Sequence, residues 1–136
     1  MSAATAPTLH IAAALIEDES GRLLLVRKRD TTAFMQAGGK IEPQESPADA
    51  LSREVFEELG CRLRHLEPLG EFTAPAANEP GHWLCAHLFR VELDGPPRAA
   101  AEIAELRWVS PDAAATLPLA PLTRDVVLPR AGVPAA

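Results

Sequence analysis

The segment GKIEPQESPADALSREVFEELG, residues 39–60, carries six carboxylates: Glu42, Glu45, Asp49, Glu54, Glu57 and Glu58. Spacings of three and four place Glu54, Glu57 and Glu58 on one helical face, with Arg53 as the nearby cation. Like charges so placed repel by a few tenths of a kcal/mol per pair. With Glu54 at zero, Glu57 falls at about 300° and Glu58 at about 40°, while an apolar stripe of Ala48, Leu51, Val55 and Leu59 spans about 60° to 140°. The carboxylates therefore border the buried face. Oxygen-only ligands gathered there suit a hard divalent cation, Mg²⁺ or Mn²⁺, which bridges phosphate oxygens and activates water for attack at phosphorus. The paired glycines of AGGKIEP, just ahead, let backbone approach a ligand closely. On charge pattern alone a solvated acidic face remains the commoner explanation.

These residues need elements to hold them. Ser46 and Pro47 open the helix as N-cap and first helical residue, Asp49 complements its dipole, and Gly60 is the left-handed stop after Leu59. Before it, LHIAAALIED (9–18) and RLLLVRKR (22–29) read as two strands joined by a short Gly-containing connection. A short extended piece is expected around Lys40 and Ile41. After it come strand-like segments 61–74 and 81–93, separated by the loop PAANEPG, then the strand LRWV (106–109). Ser110-Pro111-Asp112 predicts a second helix over 111–117. The Pro-rich tail leaves room for at most one short helical turn near 122–128. Helices interleaved with strands predict an α/β fold, a mixed β-sheet with helices on its faces.

The 136 residues suit a single domain, 1–136, with loose tails at 1–7 and 130–136. A net charge of −6 speaks against a nucleic-acid polymer as partner, since phosphate neutralisation needs clustered Lys and Arg. A single phosphorylated small molecule, reached through a metal ion, is compatible with it. Cys61 and Cys85 lack metal-ligand spacing and read as two buried thiols. MSAATAPTLH has no signal-peptide pattern and no apolar run spans a bilayer, so the expected location is the cytoplasm, away from membranes. Nothing in the chain sets an oligomeric state; a homodimer is only the commonest assembly among soluble homo-oligomers.

Residues 39–61 also resemble the Nudix box. Gly39 is followed after five residues by Glu45, and seven residues later by Arg53, Glu54, Val55, Phe56, Glu57, Glu58, Leu59 and Gly60. The pattern departs only at its last position, where Cys61 stands for the usual aliphatic residue. RLLLVRKR and EIAELRWVSPDAA resemble the flanking strand and the acidic loop, Trp-containing strand and short helix of that family. Ala37 stands where many members have Pro. The resemblance implies an α/β/α sandwich and divalent-metal-dependent hydrolysis of a nucleoside diphosphate linked to another group. It implies Glu54, Glu57 and Glu58 as metal ligands and catalytic residues, the Gly38 carbonyl as a backbone ligand, and Glu45–Arg53 as an internal ion pair. A general base would be a box glutamate or an acidic residue of the later loop, Glu102 or Glu105, with Glu102 preferred.

A small MutT-like pyrophosphohydrolase is the resulting expectation, with nucleoside triphosphates, oxidised ones included, as the leading substrates. A Nudix-fold nucleotide sensor without turnover is the contrasting reading, and nucleotide sugars or dinucleoside polyphosphates are the alternative substrates. Arg27 and Lys28 could hold phosphate or base, and Asn78 could hydrogen-bond a base. Each also has a plainer reading, as a solvated strand-end charge or a turn residue. His82 and His87 fall on opposite strand faces by period two and read as structural, Trp108 reads as core, and Trp83 is open.

Overall fold

Strand β1 (Thr8–Ile16) is apolar at every position from Ile11 onward because both of its faces are covered. Ala12, Ala14 and Ile16 point into one core, Ile11, Ala13 and Leu15 into another. The computed structural model, which describes residues 7–132, places β1 inside a four-stranded mixed sheet. Its strand order is β3 (Ala37–Lys40), β1, β5 (Trp83–Leu93), β4 (Leu63–Pro75). β1 and β5 run parallel; the other two pairings are antiparallel. β2 (Leu23–Lys28) and β6 (Ile103–Val109) form a separate antiparallel pair.

Helix α1 (Pro47–Leu59) covers one sheet face with Ala50, Leu51, Val55 and Leu59. Its ends follow from the sequence: Ser46 Oγ accepts the Asp49 N–H at 3.1 Å, and Gly60, at φ 70°, returns its N–H to the Phe56 carbonyl. The opposite face is covered by Leu122, Val126 and Val127 from the C-terminal helical segment. The result is the expected α/β sandwich around a mixed sheet.

Several boundaries differ from expectation. β1 and β2 are joined by the Gly-containing turn but belong to different sheets, linked by the bridge Glu17↔Leu23. The second helix, α2, is shorter than 111–117: it ends at Ala114, and a turn carries the chain to Leu117. The C-terminal segment holds more structure than one turn. A π-helical turn, Thr123–Val127, runs into α3 (Leu128–Arg130), with the Leu128 N–H reaching the Thr123 carbonyl five residues back. Pro129 has no N–H to hold an α-helical register there. Of the expected loose tails, 1–6 and 133–136 lie outside the described residues. Pro7 accepts the Trp83 N–H, Arg130 lies 4.1 Å above the Phe72 ring, and the Gly132 N–H reaches Glu17, so these residues are tethered. No helix among the described residues is long and apolar enough to cross a membrane.

Candidate active site

The turn from β3 into α1 is built by close approach. A Cβ on Gly38 would collide with the Ala12 carbonyl, and one on Gly39 with the Glu54 carboxylate. Gly38 sits at φ 141°, a conformation that favours glycine. Its N–H donates to Glu58 Oε1 at 3.0 Å. Glu58 is only 7% exposed, and burial pushes its carboxyl up to about 7. The Gly38 hydrogen bond opposes that rise, and the Glu54 charge adds to it. Glu54, its side chain 15% exposed, is raised first by burial and then by Glu57. Glu57 stays 51% exposed on the outer edge of the helix.

Arg53 relieves part of the crowding. Its fork grips Glu45 through Nε–Oε2 at 2.7 Å and Nη2–Oε1 at 2.8 Å, and Nη2 also donates to the Lys40 carbonyl at 3.0 Å. Nη1 lies 3.3 Å from Glu54 and 3.7 Å from Glu57. Glu45 also accepts the Glu42 N–H, and with the Arg53 bonds this holds its carboxyl down at about 2. One guanidinium thus ties β3, the following loop and α1 together. The pair is partly solvated, not sealed.

The donor set fits a hard dication: burial drives two neighbouring carboxyls toward protonation, and a cation in place of the proton would remove that penalty. Among the described residues, no three His, Cys, Asp or Glu side chains stand gathered as a ready-made metal shell. Glu58 is turned to the Gly38 amide, Glu57 lies toward Arg53, and Glu54 faces the adjoining cleft.

That cleft has a volume of about 560 Å³. Glu54, Gly38 and Gly39 form its floor near the helix, with Lys28 and Glu102 beside them. Its lining also includes the 75–79 loop, with Asn78, and Leu84 and Leu122. Lys40 and Glu79 pair across the rim at 3.2 Å. Strand parity separates the two basic residues of β2. Lys28 lines the cleft, whereas Arg27 is taken up by Glu105 at 3.2 Å and the Thr31 carbonyl at 2.8 Å. The two loop acids separate likewise. Glu102 lines the cleft and its charge is felt by Glu58; Glu105 is held low by Arg107 and Arg27.

Other expected residues fall outside. Trp108 packs against the core under α1, and Trp83 is largely exposed. His82 precedes β5, its ring nitrogen 3.2 Å from the Pro80 carbonyl, and His87 lies 3.5 Å from Glu71. Cys61 is buried as expected, but Cys85, on β5, is partly exposed, its Sγ 3.9 Å from Glu71 Oε1. Sequence reading missed Gln36 and Thr123. Both are buried, and the Thr123 hydroxyl donates to Gln36 Oε1 at 2.7 Å. The available signal was a glutamine amid apolar residues, with one residue between it and the glycine pair.

Comparison with known proteins agrees with this geometry. The profile of the NUDIX domain matches residues 7–130. The chain is 36% identical over 118 residues to the CTP pyrophosphohydrolase of Escherichia coli, covering 83% of this chain and 84% of that one. It is 32% identical over 112 residues to a MutT-like protein of Streptomyces ambofaciens, covering 80% and 70%. Its fold matches the solution structure of the Escherichia coli ORF135 protein with a TM-score of 0.75, at 32% identity and 96% coverage of both chains. The chain belongs to the Nudix hydrolase family.

Proposed function

We propose that this protein hydrolyses the pyrophosphate linkage of a nucleoside triphosphate, giving nucleoside monophosphate and pyrophosphate. The observation that carries the reading is the largely buried Glu54 carboxylate lining a nucleotide-sized cleft, against the Gly38–Gly39 backbone. Glu54, Glu57 and Glu58, with the Gly38 carbonyl, are the groups that would hold Mg²⁺ or Mn²⁺. Such an ion, when bound, neutralises phosphate charge and lowers the pKa of a bound water. Lys28 supplies a further positive charge for the phosphate chain, and Glu102 is positioned to accept a proton from water at the cleft edge. Arg53 and Glu45 keep α1 fixed against the loop that carries the glycines. Asn78 and the apolar part of the lining are left for the base. The CTP pyrophosphohydrolase similarity supports a triphosphate as substrate.

The test is a panel of ordinary and oxidised nucleoside triphosphates, nucleotide sugars and dinucleoside polyphosphates, with Mg²⁺ and Mn²⁺, scored for pyrophosphate and monophosphate. Pyrophosphate release from a triphosphate is expected. Tight nucleotide binding without turnover of any panel member would replace this reading with the sensor.

A further inference from the structure

Gln36 and Thr123 are the two buried uncharged polar residues among the described side chains, 7% and 0% exposed. They come from distant parts of the chain, the entrance to β3 and the first residue of the π-helical turn. Burying two polar groups together costs free energy unless they bond one another, which they do at 2.7 Å. With Gln36 Oε1 accepting the Thr123 hydroxyl proton, the oxygen faces Thr123 and the NH₂ faces away. Gln36 lines the cleft, as do Met35 and Leu122. Its Nε2 has no hydrogen-bond partner among the described residues, yet it is not sealed from solvent. The cleft therefore presents two N–H donors on a braced, nine-tenths-buried side chain, in apolar surroundings that include Ile11 and Leu84.

We infer that Gln36 is a specificity-determining residue: its amide NH₂, oriented by Thr123, selects nucleobases that present an exocyclic oxo group. The inference rests on the nucleotide reading above. A donor of this kind matches the carbonyl oxygens of cytosine, uracil, thymine or guanine; adenine offers ring-nitrogen acceptors but no projecting exocyclic oxygen. Phosphate recognition falls to the charged groups of the cleft, Lys28 and a cation held by Glu54, whereas Gln36 is uncharged, so Gln36 should affect which base is accepted more than the chemistry. Lost donation leaves the base oxygen unpaired in an apolar wall, the situation in which polar discrimination is strongest.

The experiment has two arms. In the first, dCTP, dGTP and dATP are compared as substrates of the wild type, Gln36→Leu and Thr123→Val. In the second, the corresponding monophosphates are titrated against the same proteins by calorimetry, which requires no turnover. The wild type should favour the oxo bases in both arms. Gln36→Leu should lose about tenfold in kcat/KM and affinity for those bases, with the adenine nucleotide unchanged. Thr123→Val, which keeps the amide but frees its orientation, should lose part of the same preference. Melting curves establish that each variant is folded, and the milder Thr123→Val serves if Gln36→Leu is not. Equal losses for all three bases, or a wild type that binds adenine nucleotides as well as the others, would overturn the inference. Base-selective binding that depends on Gln36 without any hydrolysis would uphold it while refuting the proposed activity.

Discussion

Replacing Glu58 with Gln separates the cost of this carboxylate to the fold from its use in the reaction. Glu58 is 7% exposed, and its carboxyl is pushed up to about 7 from an ordinary 4.5. The folded protein thus holds this proton more tightly than the unfolded chain does. Stability should fall as pH rises from about 4.5 to about 7 and level off above, the reverse of a salt-bridged acid. At about 1.4 kcal/mol per pH unit, the gap between 4.5 and 7 sets a ceiling of about 3 kcal/mol. Relaxation around the site brings the expected cost to about 1–3 kcal/mol, well above the few tenths due to helical like-charge repulsion. Gln is neutral at every pH, and its Oε1 can still accept the Gly38 N–H. In EDTA at pH 8, Glu58→Gln should therefore melt several degrees above wild type, and at pH 4.5 the two should nearly coincide. Turnover with Mg²⁺ should move the other way, falling about 10²-fold, or about 2.7 kcal/mol of barrier. The assay is a calorimetric melt from pH 4.5 to 8 in EDTA, with kcat measured separately. A variant that melts below wild type at pH 8 and keeps its turnover would refute the reasoning, because Glu58 would then serve the fold.

Arg53→Ala should lose both activity and stability, since the guanidinium joins Glu45, the Lys40 carbonyl and Glu54. Partial solvation limits the fall in Tm to a few degrees, read by a metal-free melt. Glu45, held at about 2, contributes stability that is present above about 4.5 and lost as pH falls toward 2; that acid-side loss should shrink in the Arg53→Ala melt profile, with the Glu42 N–H bond keeping a remainder. Gly39→Ala drives a methyl into the Glu54 carboxylate, so kcat should fall at least about tenfold even where circular dichroism shows a folded protein. Glu102→Gln should lower kcat by about 10²-fold and flatten the pH–rate profile, whereas Glu105→Gln, remote from the cleft, should keep its kcat within about twofold.

The helix at the centre of the site was legible almost to the residue. Ser46, Pro47 and Gly60 act locally, through one hydroxyl, one missing N–H and one left-handed φ, and local chemistry survives folding. The apolar face of α1 was legible for the same reason, since 3.6-residue periodicity depends on nothing distant. Burial within the acidic row was not. Glu58 is sealed and Glu57 exposed because Gly38 packs over one edge of the helix, a tertiary contact without a sequence signature. Parity decided Arg27 against Lys28: adjacent strand residues face opposite ways, and only the sheet shows which way faces the cleft. The rest of the cleft lining, from the 75–79 loop to Leu84 and Leu122, is assembled from segments remote in sequence, as is the Thr123 that bonds Gln36. The short Gly-containing connection was legible, but the parting of β1 from β2 was not, because β1 pairs with β3 and β5 instead.

The central claim is that the acidic row of α1 exists to hold a divalent cation. Mn²⁺ binding, followed by electron paramagnetic resonance of the free ion in titrations of wild type and Glu54→Gln, tests it most directly. The account predicts saturable binding by the wild type, weakened at least about tenfold in Glu54→Gln, whose melt in EDTA is as high as wild type or higher. No saturable binding by the wild type, or equal binding by both proteins, would contradict it.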